Sequence, residues 1–310
     1  MTLALFTHPA CFGHRTPPGH PERVDRLRAV LGALDEEAFP DLDRRAAPLA
    51  EVADVERVHL PDYVRLIASG EPEDPEEWRA LDPDTSMSSG SVEAAMRAAG
   101  AVCAAVDGVI AGDFDRAFCA VRPPGHHAEQ ARAMGFCLFN NIGVAAMRAK
   151  AVHGLERVAI VDFDVHHGNG SQDLAYREPW LFFASIHEGG IYPGTGLARE
   201  TGPDDNVVNA PAPHGCMGST WRELIAERIL PRLKAYAPEL VLISAGFDGH
   251  AADPLAGLML DADDFAWATT AICEAAEPSS QGRVVSTLEG GYDLDALAAS
   301  AAAHVRALQG

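Results

Sequence analysis

The sequence predicts an α/β fold, read as one domain over residues 1–310 and built around a parallel sheet. Three observations predict it. Apolar runs of strand length alternate with stretches of helical periodicity, the pattern of strands joined by crossover helices and covered on both faces. The chain has 310 residues, 47% of them hydrophobic, enough to bury a sizeable core. And four strand candidates run directly into polar, glycine-bearing segments, where open α/β sheets bind their ligands.

In chain order, the strand candidates are LALFT (3–7), RAFCAV (116–121), RVAIVDF (157–163), WLFFASI (180–186), LVLISA (240–245) and RVVSTL (283–288). The opening MTLALFTHPACFGH carries no basic region ahead of its apolar run, so it reads as a first strand rather than a signal peptide. The clearest helix is SSGSVEAAMRAAGAVCAAVDGVIAG (88–112), which repeats Ala and Val at helical spacing and stops at a glycine. GSTWRELIAERILPRLKAY (218–236) and DADDFAWATTAICEAAE (261–277) are two more. Aromatics are only 7% and Ala is abundant, so Ala-rich helices do much of the packing. The Pro- and acid-rich SGEPEDPEEWRALDPDTSMSSG (69–90) reads as a long surface loop. No repeat and no low-complexity linker interrupts the pattern.

Composition narrows the function. A formal net charge of −21 argues against nucleic acid, whose phosphates need a basic face. It suits cationic substrates through long-range steering, although acidic surfaces also aid solubility. No apolar run reaches the ~18 residues of a membrane span. The six cysteines, Cys11, Cys103, Cys119, Cys137, Cys216 and Cys273, form no CxxC pair. That argues against a disulfide framework and a zinc ribbon. The expectation is a soluble cytoplasmic protein with no nucleic-acid or membrane partner; homo-oligomerisation is left open.

The strand ends carry the chemistry. They read RPPGHHAEQ (122–130), DFDVHHGNG (162–170), GFDGHAADP (246–254) and EGGYD (289–293). If its strand persists, Asp162, Asp164 and His166 share one face. Such groups are expensive to bury unless paired or bound to metal. Asp164 and His166 can supply two ligands to a divalent first-row metal, with Asp248 as the third from another strand end. The same residues would also make a hydrogen-bonded Asp/His turn without metal. An Asp₂His set nearly cancels a divalent charge and acidifies a bound water less than three histidines do. Such a site needs a general base and an oxyanion donor. His126 and His127 offer the first and Tyr292 the second.

RPPGHHA, GFCLFNN (135–141), VDFDVHHGNG (161–170), YPGTG (192–196), SAGFDGHAADPLAG (244–257) and LEGGY (288–292) together resemble the zinc-dependent histone deacetylase superfamily. GHPERVDRL (19–27) is similar to the signature of its class II branch and bacterial relatives. The resemblance runs from about Thr7 to Tyr292. It implies the arginase–deacetylase fold, a three-layer α/β/α sandwich around an eight-stranded parallel sheet. It also implies a metal-dependent amidohydrolase that releases acetate from N-acetyl-lysine in peptides or proteins, or from a small acetylated amine such as an acetylpolyamine.

Residue by residue, Asp164, His166 and Asp248 match the ligands of one catalytic zinc, with ferrous iron as the alternative. His127 matches the general base and His126 its charge-stabilising neighbour. Asp162 matches the carboxylate that orients His126, and Asn169 the partner of His127. Tyr292 matches the carbonyl-polarising tyrosine. Phe136 and Tyr192 match the walls of a substrate channel that also takes in Gly135 and Leu255. Asp84 falls near a rim residue that bonds the substrate backbone, and Arg26 near the acetate side of the floor. A structural potassium ion is implied near Asp162, Asp164, His166 and Ser185. Leu255 stands where a polyamine-selective relative has glutamate, which lowers that reading. Glu71, Glu73, Asp74, Glu76 and Glu77 of the 69–90 loop could still read a distal ammonium. An arginase-type binuclear ureohydrolase would carry a further carboxylate where this chain has Gly168. An inactive acyl-ligand-binding module would have lost a ligand, His127 or Tyr292.

Overall fold

The computed structural model describes residues 1–310. Ten strands and ten α-helices run in the order β1 (Leu3–Thr7), α1 (Val24–Ala33), β2 (Asp43–Ala46), α2 (Val52–Val55), α3 (Pro61–Ala68), β3 (Arg79–Ala80), β4 (Ser86–Met87), α4 (Ser91–Ala111), β5 (Arg116–Cys119) and α5 (Asn141–His153). Then follow β6 (Val158–Asp162), α6 (Asn169–Arg177), β7 (Leu181–Glu188), β8 (Val207–Ala212), α7 (Gly218–Leu224), α8 (Leu230–Tyr236), β9 (Leu240–Ala245), α9 (Ala262–Ser280), β10 (Val284–Leu288) and α10 (Leu294–Gln309).

Eight strands form one parallel sheet in the order β2-β1-β5-β10-β9-β6-β7-β8. Helices α4 and α5 pack against each other and the sheet, while α9, α10 and α1 form a second packed group. The expected three layers around an eight-stranded parallel sheet are therefore present. Every residue of β5, β6, β9 and β10 is buried, as strands covered on both faces require. Helix α4 is long and apolar enough to cross a membrane, against the expectation that no run was, but 67% of that window is buried in the fold.

Several elements depart from the sequence reading. The 69–90 segment holds a two-stranded antiparallel hairpin, β3 with β4. The helix expected over 218–236 is α7 and α8 joined by a π-helical turn, Ile225–Ile229, with Pro231 in the first turn of α8. Strand β6 ends at Asp162, so Asp164 and His166 lie in the turn after it and not on a continued strand face. That turn is built by side chain on backbone: Asp162 Oδ1 accepts from Asp164 N and Asp164 Oδ1 from His166 N, at 3.0 and 2.8 Å.

The four polar strand ends belong to β5, β10, β9 and β6, which are consecutive in the middle of the sheet. Because all run parallel, their C-terminal ends meet at one edge. The topology thus converts four distant stretches of sequence into a single crevice.

Candidate active site

Asp164 and His166 after β6 and Asp248 after β9 converge with their ligand atoms within 4.8 Å of one another, all three buried. Backbone amides aim the carboxylates: Gly290 N donates to Asp164 Oδ2 at 2.8 Å and Val165 N to Asp248 Oδ1 at 2.9 Å. His166 Nδ1 lies 3.0 Å from Asp248 Oδ2 and 3.3 Å from Asp164 Oδ1. Burial opposes a charged His166, yet the two carboxylates push its imidazolium up to about 10. A buried set that draws in positive charge, offering two carboxylates and one imidazole, fits a divalent cation.

The tandem histidines follow β5. His126 Nδ1 bonds Asp162 Oδ2 at 2.9 Å, and His127 Nδ1 bonds Asn169 Oδ1 at 2.8 Å. Asn169 is oriented by its own amide nitrogen, which donates to His127 O and Glu129 Oε1 at 3.2 and 2.8 Å. Its oxygen must therefore accept from His127 Nδ1–H, which leaves Nε2 as the acceptor nitrogen. The two rings differ electrostatically. Burial works against a charged His126, but Asp162, Asp164 and Glu289 push it up to about 10. Burial, then the neighbouring His126 and His166 charges, hold His127 well below the usual range. The surroundings thus favour a charged ring at His126 and a neutral one at His127.

These groups open into a cavity of about 260 Å³. His127, His166 and Tyr292 form its inner end; Gly135, Phe136 and Tyr192 line its sides; Asp84 and Leu255 stand among its lining residues as well. Phe136 has φ 68, rare for a residue with a side chain, and Gly135 before it has φ 56. A Cβ at Gly135 would stand 2.3 Å from the His127 ring, so the wall closes on that ring only because residue 135 is glycine. The Tyr192 ring meets His127 edge-on at 5.2 Å, and Phe136 meets Tyr292 likewise at 5.8 Å. Burial keeps the Tyr292 phenol protonated, although Arg26 opposes this.

The remaining predicted residues separate. Asp84 Oδ1 accepts from Gly135 N at 3.1 Å and from Thr85 Oγ1 at 2.8 Å. Leu255 is 40% exposed. Arg26 is fully buried behind Tyr292, its guanidinium 4.8 Å from that ring and bonded to Gly291 O, Glu289 O and Glu22. Arg26 thus braces the floor and lines none of the cavity. Ser185 pairs in register with Asp162 across β6 and β7, with its hydroxyl on His187 Nδ1 at 2.9 Å. None of the loop acids Glu71, Glu73, Asp74, Glu76 and Glu77 lines the cavity; Glu71 instead accepts from Val92 N at the start of α4, 3.2 Å away. Cys137 is wholly buried.

Three buried side chains went unassigned in the sequence reading. Glu289 Oε2 accepts from Gly125 N and His126 N at 2.7 and 3.2 Å, tying the histidine loop to β10. His167 bonds Thr195 Oγ1 at 2.8 Å, and a Cβ at Gly196 would strike its ring, so it holds the loop that follows Tyr192. Asp253 accepts from Leu255 N and Tyr292 N at 3.0 and 2.7 Å. Glu289, His167 and Asp253 lie inside LEGGY, VDFDVHHGNG and SAGFDGHAADPLAG, so their position in those motifs is the one available signal.

The model of the histone deacetylase domain matches residues 20–308. The chain belongs to the histone deacetylase family. It is 38% identical to a histone deacetylase-like amidohydrolase of Pseudomonas aeruginosa, over 92% of this chain and 74% of that protein. A probable deacetylase of Archaeoglobus fulgidus is 34% identical over 95% of this chain and 82% of its own length. Type-2 histone deacetylase 2 of Dictyostelium discoideum is 34% identical over 95% of this chain, which spans 20% of that longer protein. The crystal structure of the HDA15 HD domain superposes with a TM-score of 0.90 at 32% identity, covering 99% of this chain and 91% of that one. Family membership therefore rests on nearly the whole chain.

Proposed function

We propose that residues 1–310 form one metal-dependent deacetylase domain that hydrolyses the amide of an N-acetylated lysine in a peptide or protein. The observation that carries this reading is the convergence of His127, Tyr292 and the Asp164–His166–Asp248 set at the inner end of one aromatic-walled cavity. Asp164, His166 and Asp248 would hold a divalent ion, with zinc favoured over ferrous iron. When bound, such an ion supplies Lewis acidity to the acetyl carbonyl and to water.

The protein's own groups do the rest. Phe136, Tyr192 and Gly135 clasp the alkyl stem of the lysine and exclude water around it. His127 Nε2 takes a proton from the water that attacks the acetyl carbon and passes it to the departing amine. Asn169 keeps that nitrogen free by accepting the Nδ1 proton. His126, fixed by Asp162, places a positive charge beside the reacting centre. Tyr292 donates its hydroxyl to the acetyl oxygen as negative charge develops there. The products are acetate and the free amine. A structural potassium ion near Asp162, Asp164, His166 and Ser185 is part of the same reading.

A ureohydrolase with two metals is disfavoured by Gly168. A Cβ there would lie 2.2 Å from Asp162 Oδ2, so that position admits no ligand side chain. Acetylpolyamines are the second substrate reading, favoured by Asp84 in the cavity lining with Asp82 beside it. Asp82 is committed to Arg132 at 3.1 Å and Leu255 offers no charge, which favours the lysine reading. Comparing kcat/KM for an acetyl-lysine peptide with acetylputrescine and acetylspermidine tests this. A peptide preference beyond ~100-fold, about 2.7 kcal/mol, is expected. A polyamine preference of that size overturns the substrate class, and no reaction with either overturns the activity.

A further inference from the structure

Tyr292 enters the cavity from backbone with little stiffness of its own. Gly290 and Gly291 precede it, and Gly291 has φ 120, a conformation that side-chain-bearing residues rarely adopt. A side chain on such a joint is placed accurately only if the backbone is tied down. Three ties exist. Gly290 N donates to Asp164 Oδ2 at 2.8 Å, and Gly291 O accepts from Arg26 Nε at 2.5 Å. The third, Tyr292 N to Asp253 Oδ2 at 2.7 Å, is the one made by Tyr292 itself.

Asp253 is costly where it stands. It is 8% exposed, and its partners are backbone amides rather than a basic side chain. Burial, reinforced by Asp248, pushes its carboxyl up to about 7. Its two oxygens divide their work. Oδ1 holds the amide of Leu255, which lines the cavity, and Oδ2 holds the amide of Tyr292 at the inner end. Asp253 also shares its loop with Asp248, so one carboxylate joins the β9 loop to the β10 loop.

We propose that Asp253 is a positioning residue that sets where the Tyr292 hydroxyl meets the substrate carbonyl. This role rests on the deacetylase reading above. It predicts that Asp253 acts through Tyr292, which a general contribution to folding would not do.

The test is a double-mutant cycle on metal-loaded protein: D253A and D253N, each alone and combined with Y292F. D253A is expected to lower kcat by about 100-fold, the scale of a misplaced catalytic group, with metal content unchanged. D253N, which keeps one acceptor oxygen, is expected to lose less. In the Y292F background, where no hydroxyl is left to misplace, D253A is expected to cost less than about threefold. An equal loss in both backgrounds, or no loss in D253A alone, overturns the role. Should D253A fail to fold, D253N carries the same cycle. Fluorine NMR of fluorotyrosine-labelled protein reads the Tyr292 ring without activity, its resonance assigned through Y292F. A broadened or split signal in D253A supports the tie, and an unchanged signal overturns it. Were the wild type inert toward every acetylated amine, the deacetylase reading would fail while this measurement still judged Asp253.

Discussion

Replacing Tyr292 by phenylalanine removes one oxygen atom and leaves the rest of the floor in place. The ring keeps the Arg26 guanidinium 4.8 Å away and Phe136 at 5.8 Å, and Asp253 still holds the backbone amide. Stability should therefore change by no more than ~1 kcal/mol, the net worth of one hydrogen bond. Catalysis should change far more. The residue is 9% exposed, so its hydroxyl acts in a site largely closed to water, where an oriented donor is worth most. Loss of one such oxyanion donor costs roughly 100- to 1,000-fold in kcat, about 2.7–4 kcal/mol. The aromatic walls that hold the ground state are untouched, so KM should stay within about threefold. Steady-state kinetics of the Tyr292→Phe variant on an acetyl-lysine peptide, with metal content measured in parallel, gives both numbers. A variant that keeps kcat within about threefold of wild type at full metal loading would refute the role given to this hydroxyl.

Two further outcomes follow from other parts of the fold. In Gly290→Ala, a Cβ would lie 2.1 Å from Asp248 Oδ2 and 2.6 Å from Asp164 Oδ2, so two of the proposed ligands must shift. Metal affinity should fall by at least ~10-fold in a chelator competition, and an unchanged affinity would place the metal elsewhere. His304 is wholly buried among Phe118, Phe163 and Phe247, with its ring nitrogens on Thr269 and Ser286. Burial lowers its pKa from 6.5 to about 3, so the unfolded chain binds a proton that the folded one refuses. Its stabilising effect is complete above pH 6.5 and is lost as pH falls toward 3, at about 1.4 kcal/mol per pH unit. Denaturant titrations between those limits should show a slope smaller by about one proton in His304→Gln, and an equal slope would show that His304 is protonated in the fold.

The central strands and the residues that converge at the candidate site were both legible in the sequence, for different reasons. β5, β6, β9 and β10 are buried on both faces and must be apolar, so they stand out as runs. The unnoticed sheet strands, β2 (DRRA) and β8 (VVNAPA), are the two edges. An edge strand pairs on one side only and tolerates charge and proline, so its sequence carries little signal. Likewise, the groups proposed as metal ligands and general base are His and Asp gathered at strand ends, residue types that announce themselves there. The ties that aim them do not. Asp253, Glu289 and His167 act on backbone amides or a loop hydroxyl far away in sequence, and no local pattern records which amide will arrive. Arg26, which the family resemblance puts near the acetate side of the floor, likewise bonds Gly291 O and Glu289 O far away in sequence, partners that no local pattern records.

Acetate release from an acetyl-lysine peptide, measured on chelator-stripped protein before and after one equivalent of zinc, tests metal-dependent deacetylation most directly. The stripped protein should be inactive, zinc should restore turnover, and Asp164→Ala should neither hold the metal nor release acetate. Full activity in the stripped protein, or full metal content and turnover in Asp164→Ala, would contradict it.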